Sequence, residues 1–135
     1  MKRSALSLRR LTLPMAALGC ITFFILIIRI ANRGEGDRWW SFIHLIPHGD
    51  KVGHLGLVGA LSFICNLASA RWKWNSLPRW ITPATLILLL LLTGEEIAQA
   101  YQPHRTCDIF DWFADLAGLA AGQWLSVLVA RWRGI

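Results

Sequence analysis

Residues 95–122 read EEIAQAYQPHRTCDIFDWFADLAGLAAG, and this stretch decides how the rest of the chain is organised. It joins the end of one apolar segment to the start of another. Between Glu95 and Asp115 it holds Glu95, Glu96, Gln99, Arg105, Asp108, Asp111 and Asp115. The whole chain is 55% hydrophobic and only 16% charged, so carboxylates here are out of character. Ionisable residues set against a membrane span are costly and by default mark a functional site.

Working outward, the 135 residues suffice for a single domain, residues 1–135. The apolar residues fall into runs at 11–31, 52–70, 81–101 and 109–130, each roughly 20 residues, which at 1.5 Å per residue crosses a hydrocarbon core of about 30 Å. The expectation is an all-α membrane protein of four transmembrane helices. A soluble bundle would show a polar stripe at helical spacing, yet Leu86–Leu92 is apolar all round.

The net charge of +6 does not point to nucleic acid, because the basic residues gather at span boundaries. Lys2, Arg3, Arg9, Arg10, Arg71, Lys73, Arg79, Arg131 and Arg133 fall on one side of four spans. Arg33, Arg38, Lys51 and Arg105 fall on the other. The bias places both termini in the cytoplasm. Trp39, Trp40 and Trp112 mark the outer boundary; Trp72, Trp74, Trp80 and Trp132 mark the inner one. Cys20, Cys65 and Cys107 are too few for a disulfide framework and read as free thiols.

MKRSALSLRR ahead of an apolar run looks like an export signal, but the run continues past Cys20 to Ile30, so an uncleaved first helix is expected. In the loop 32–51, WWSFIHLIP suits a short interfacial segment. His44 and His48 are four apart, with no Cys or acid at matching spacing, so no metal site is assigned to them. Asp50 is the expected N-cap of the second span. Lys51 sits at headgroup level, and His54 lies one turn in, on the face of Asp50. Gly53, Gly56 and Gly59 recur every third residue, and Gly118 with Gly122 forms GxxxG; both patterns let helices approach closely. Asn66 is expected to hydrogen-bond between helices.

On α-helices, Glu96 shares a face with Gln99, as Glu95 does on a neighbouring face. Asp108 and Asp111 suit the positive end of the fourth helix, and Asp115 lies one turn deeper. His54, Glu96 and Asp115 then all lie about 5–9 Å below the outer boundary at 1.5 Å per residue. Asp50, Lys51, Arg105, Asp108 and Asp111 would line the mouth of an outward-facing polar site. So many carboxylates cannot all stay charged and close in low dielectric without protonation, pairing or a cation. Three uses remain open: proton transfer with Glu96 and His54 as the acid/base pair; a divalent cation held by a carboxylate–His set; or a lipid phosphate clamped by Lys51 and Arg105, with Asp111 and Asp115 orienting the pair or holding the metal. The sequence names no cofactor. A polar network that only sets helix register is the alternative. A transporter fits less well, since 81–92 offers only Thr82 and Thr85 as polar groups.

DKxxH at Asp50, Lys51 and His54, ExxQ at Glu96 and Gln99, and Arg105, Asp111, Gly118 and Gly122 across the last turn together resemble the VanZ-like membrane proteins. The resemblance spans roughly residues 50–122. Asp115 stands where the family commonly has Asn, and Leu57 and Val58 where an aromatic is usual. The resemblance implies a small integral membrane protein of the cell envelope. It implies a link to resistance to teicoplanin, a glycopeptide that binds wall precursors. Substrate-binding roles would fall to Asp50, Lys51, Gln99, Arg105 and Asp115. A membrane lipid or lipid-linked precursor is the expected partner, with self-association through the glycine faces also open.

Overall fold

The computed structural model describes residues 2–70 and 81–134, excluding the side chains of residues 2–11, Asp37 and His44. All regular structure among them is helical: α1 Lys2–Asn32, α2 Gly36–Trp40, a 3-10 turn Ser41–Leu45, α3 Gly49–Ala68, α4 Pro83–Gln99 and α5 Ile109–Arg133. Three helices are long and apolar enough to cross a membrane: α1 from Thr12, α3 and α5. That is the make-up of a multi-pass membrane protein. Helix α4 has 17 residues. It is shorter than the run 81–101, because Ala100, Tyr101 and Gln102 bond back to Ile97, Ala98 and Gln99 in tight i−3 turns. Pro103 follows, and a residue before proline resists helical geometry.

The bundle is built around α3 and α5. A Cβ on Gly118 would lie 2.6 Å from the Leu55 carbonyl, and one on Gly122 would collide with the Gly59 carbonyl. Only glycine lets the two backbones come that close. The expected role of the α3 glycines narrows to Gly59. Gly56 has nothing within 4 Å of a built Cβ, and Gly53 meets only Ile43, because both point away from α5. Val58, Leu61, Cys65, Leu88, Leu92 and Leu119 form the core, with Ala17, Cys20 and Phe24 attaching α1 to it. Most of α1 is otherwise uncovered, as a lipid-facing helix is.

Asp50 is not the N-cap of α3. That position is His48, in the left-handed region at φ 55°, and no side chain caps it. Gly49 follows because a Cβ there would strike the Ile43 backbone. Helix α5 is capped as its sequence suggests, with the Asp108 carboxylate accepting from Phe110 N at 2.9 Å. Thr82 caps α4, accepting from Thr85 N, and Pro83 occupies the first turn. The loop 71–80, with its basic and tryptophan residues, lies outside the described residues.

Candidate functional site

Lys51 stands in the first turn of α3 and Asp111 in that of α5, so glycine-mediated packing brings their side chains together. Lys51 Nζ donates to Asp50 Oδ2 at 2.8 Å, Asp108 Oδ2 at 3.0 Å and Asp111 Oδ1 at 3.0 Å. One ammonium therefore serves three carboxylates. The Asp50, Asp108 and Asp111 oxygens lie within 4.8 Å of one another, a spacing open to a metal ion, but Lys51 already supplies positive charge among them. Asp115 is not part of this group; of the two roles expected of it, orienting the acid/base residues or holding a metal, its contact with His54 is of the first kind. Outside the helices, the Phe110 N–H and then Lys51 hold the Asp108 carboxyl below its ordinary range.

One turn deeper, His54 Nδ1 lies 2.9 Å from Asp115 Oδ1, while His54 Nε2 is 3.9 Å from Asp111 Oδ2. The first is a hydrogen bond and the second is not. With the tautomer assigned from that bond, Nδ1 carries the proton and donates to Asp115, leaving Nε2 as the basic nitrogen toward Asp111. Asp115 is 3% exposed and orients the ring.

Glu96 and Gln99 on α4 form a second cluster. They are 4% and 2% exposed. Gln99 Nε2 donates to Glu95 Oε2 at 2.7 Å and to Glu96 Oε2 at 3.0 Å, so the shared faces expected from spacing are present. Glu96 Oε1 accepts from Asp108 N at 2.9 Å, which ties this cluster to the Lys51 group through the cap of α5. The Cys107 thiol also bonds to Glu96; desolvation first, and that carboxylate second, push the thiol above the usual thiol range. Glu96 and His54 are not hydrogen-bonded to each other: Glu96 accepts from Gln99 and from Asp108 N, and His54 bonds Asp115. Arg105 is not bonded to Asp50, Lys51, Asp108 or Asp111. Its Nη1 donates to Asn32 Oδ1 at 3.3 Å and lies 3.7 Å from Glu95 Oε1, fastening the end of α1 to that of α4.

No family model, curated protein or solved structure matches this chain. The site is therefore read from its own geometry.

At the opposite end of the bundle lies a polar knot that the sequence hinted at only through Asn66. Ser62 Oγ donates to the Leu119 carbonyl at 2.8 Å. Asn66 Nδ2 donates to Thr85 Oγ1 at 2.9 Å, Thr82 Oγ1 donates to Asn66 Oδ1, and Thr82 N donates to Gln123 Oε1 at 3.3 Å. Ser62 and Asn66 are four apart on one face, a signal legible in advance; Gln123 carried none. Cys107 as a partner of Glu96 was also missed, since nothing in its sequence neighbourhood identifies the acid it meets. No buried side-chain nitrogen or oxygen among the described residues lacks a partner.

What this arrangement can do chemically follows from its charges. Both cations named for an anion already have carboxylate partners, so a phosphate would compete with Asp50, Asp108 and Asp111 for Lys51 and with Glu95 for Arg105. The Asp115–His54 pair offers a base of fixed orientation one turn below the ammonium.

Proposed function

We propose that this chain is a VanZ-like protein of the bacterial inner membrane, with four spans and both termini in the cytoplasm, whose outward polar site binds and modifies a lipid headgroup or lipid-linked envelope precursor. Helix α4 is then the third of the four spans, shortened at its outer end where the turn 100–108 dips to the site. The observation that carries the reading is the pair of neighbouring contacts Asp115–His54 and Asp111–Lys51, with 3.9 Å between His54 Nε2 and Asp111 Oδ2: an oriented imidazole beside a carboxyl-bound ammonium, at the end of a bundle whose neighbouring surface is apolar. In it His54 moves a proton, Asp115 positions the ring, Asp111 and Lys51 meet the polar part of the ligand, and Gln99 holds Glu96 beneath the cap of α5. Proton transfer by such a fixed pair contributes about 10²–10⁴-fold to a reaction. A role in glycopeptide tolerance follows from the resemblance at residues 50–122.

A second reading has its own observation. Every buried side-chain polar atom among the described residues is satisfied, as in a scaffold protein whose polar groups only set helix register. Mass-spectrometric profiling of envelope lipids and wall precursors separates the two, in cells carrying the wild type, His54→Gln at matched abundance, or neither. A covalently altered species that depends on His54 is the expected result. Identical profiles in all three would leave the scaffold reading.

A further inference from the structure

A cleft of about 720 Å³ opens between α4 and α5 beside the polar site. Its size falls within the roughly 300–1,000 Å³ of small-molecule sites. Trp112 creates it: the glycine contacts pull α5 against α3, while the indole stands between α5 and α4 and its Nε1 donates to Thr93 Oγ1 at 3.1 Å. These two groups are spent on each other at the deep end, which leaves little there to hold water, since a buried water needs 2–4 polar partners. The lips are Ile97 and Ile109, 58% and 61% exposed, so the cleft opens sideways between apolar side chains. At its upper rim stand Glu96 and Asp108. The lining thus joins a self-paired Thr93–Trp112 floor and two isoleucine lips to a polar rim of Thr106, Cys107, Glu96 and Asp108, a side opening that suits an acyl chain with a charged end beside it. Along α4 the lining runs from Thr93 to Ile97, four residues, about 6 Å at 1.5 Å per residue, enough for the first few methylenes of one chain.

We propose that this cleft seats one acyl chain of an amine-bearing membrane lipid, whose headgroup then lies over Asp108 and Asp50. The inference rests on the reading of the polar site as a headgroup site and names what that site receives. Asp108 belongs to both: it lines the cleft and bonds Lys51. The charge sense selects the headgroup. Asp50, Asp108 and Asp111 surround a single ammonium, so the rim carries surplus negative charge that an amine offsets and an anionic headgroup aggravates.

The test uses the full chain in bilayer nanodiscs. Phosphatidylethanolamine and phosphatidylglycerol, each with a photoactivatable diazirine on one acyl chain, serve as probes, and labelled residues are mapped by mass spectrometry. The ethanolamine lipid should label the Ile97 and Ile109–Trp112 peptides at least fivefold more than the exposed α1 face at Phe23 and Leu26. Thr93→Phe, which fills the deep end, and Ile109→Trp, which closes a lip, should each cut that labelling severalfold; Asp50→Asn should reduce the preference over the glycerol lipid. Equal labelling of α1 and the cleft, indifference to both cleft-filling variants, stronger labelling by the glycerol lipid, or a crosslinked dimer through Ile97 would each overturn the proposal. The two readings fail separately. A His54-dependent change in the envelope profile that survives both cleft-filling variants rejects the cleft alone, and cleft labelling without any His54-dependent change rejects the modification reading alone.

Discussion

His54 Nδ1 on α3 and Asp115 Oδ1 on α5 stand 2.9 Å apart across the helix interface. They are 61 residues apart in sequence, and the glycine contacts one and two turns deeper are what bring them together. Replacing Asp115 by Leu leaves the ring N–H without its partner at the helix interface, which costs about 1–3 kcal/mol. Asp115→Asn retains an acceptor for that N–H and should cost much less. Unfolding in detergent, followed by SDS titration, reads the difference; equal losses for the two variants would mean that the bond contributes little.

The glycine seam gives a sharper contrast. Gly118→Val or Gly122→Val drives a branched side chain into the α3 backbone, and overpacking of this kind costs about 1–3 kcal/mol or more. Gly56→Ala meets nothing within 4 Å. It should be neutral or stabilising by up to about 1 kcal/mol from helix propensity. The same unfolding assay reads all three, and a destabilising Gly56→Ala would place a second packing surface on that face.

Asp108 predicts a pH dependence. Its folded-state carboxyl titrates below the ordinary aspartate value, first through the Phe110 N–H and then through Lys51. A depressed pKa contributes stability that is present above the unfolded value of about 3.9 and is lost as pH falls through the folded one. Thermal stability of the wild type should exceed that of Asp108→Asn at pH 5–7, and the gap should close below about pH 4. A gap unchanged down to pH 3 would assign the cap effect to hydrogen-bond geometry rather than charge.

Cys107 is exposed, yet its thiol is raised by desolvation and by Glu96. Only the thiolate alkylates quickly. At pH 8 iodoacetamide should modify Cys107 severalfold more slowly than a free cysteine of pKa about 8.5. Glu96→Gln should speed the reaction and move its pH profile downward without restoring it fully, because desolvation persists. No change on Glu96→Gln would break the link between the thiol and the buried acid.

The four-span topology is open to a labelling experiment. In a background with Cys20 and Cys65 replaced by Ala, a membrane-impermeant maleimide should reach Cys107 in intact cells. With Cys107 also replaced by Ala, single cysteines placed at Ser4 and Gly134 should react only after permeabilisation. Reaction at only one terminus in intact cells would mean that an odd number of helices cross, and that α4 does not.

Much of the architecture was legible in the order of residues because it depends on local periodicity. The four apolar runs, the Asp108 cap, the Gln99 faces and the Gly118–Gly122 pair are each set by neighbours within a turn or two. Residue types at 95–115 also announced that a polar site exists, since burial of that much charge needs compensation whatever the fold. Partners were another matter. Which carboxylates meet Lys51, that Arg105 turns instead to Asn32 and Glu95, and that His54 takes Asp115 rather than Glu96 all depend on helix rotation and depth. Those are decided by which glycines touch and by where Trp112 holds α4 away, contacts between positions some 19–63 residues apart. Sequence spacing constrains a side chain relative to its own helix axis; only packing sets one axis against another.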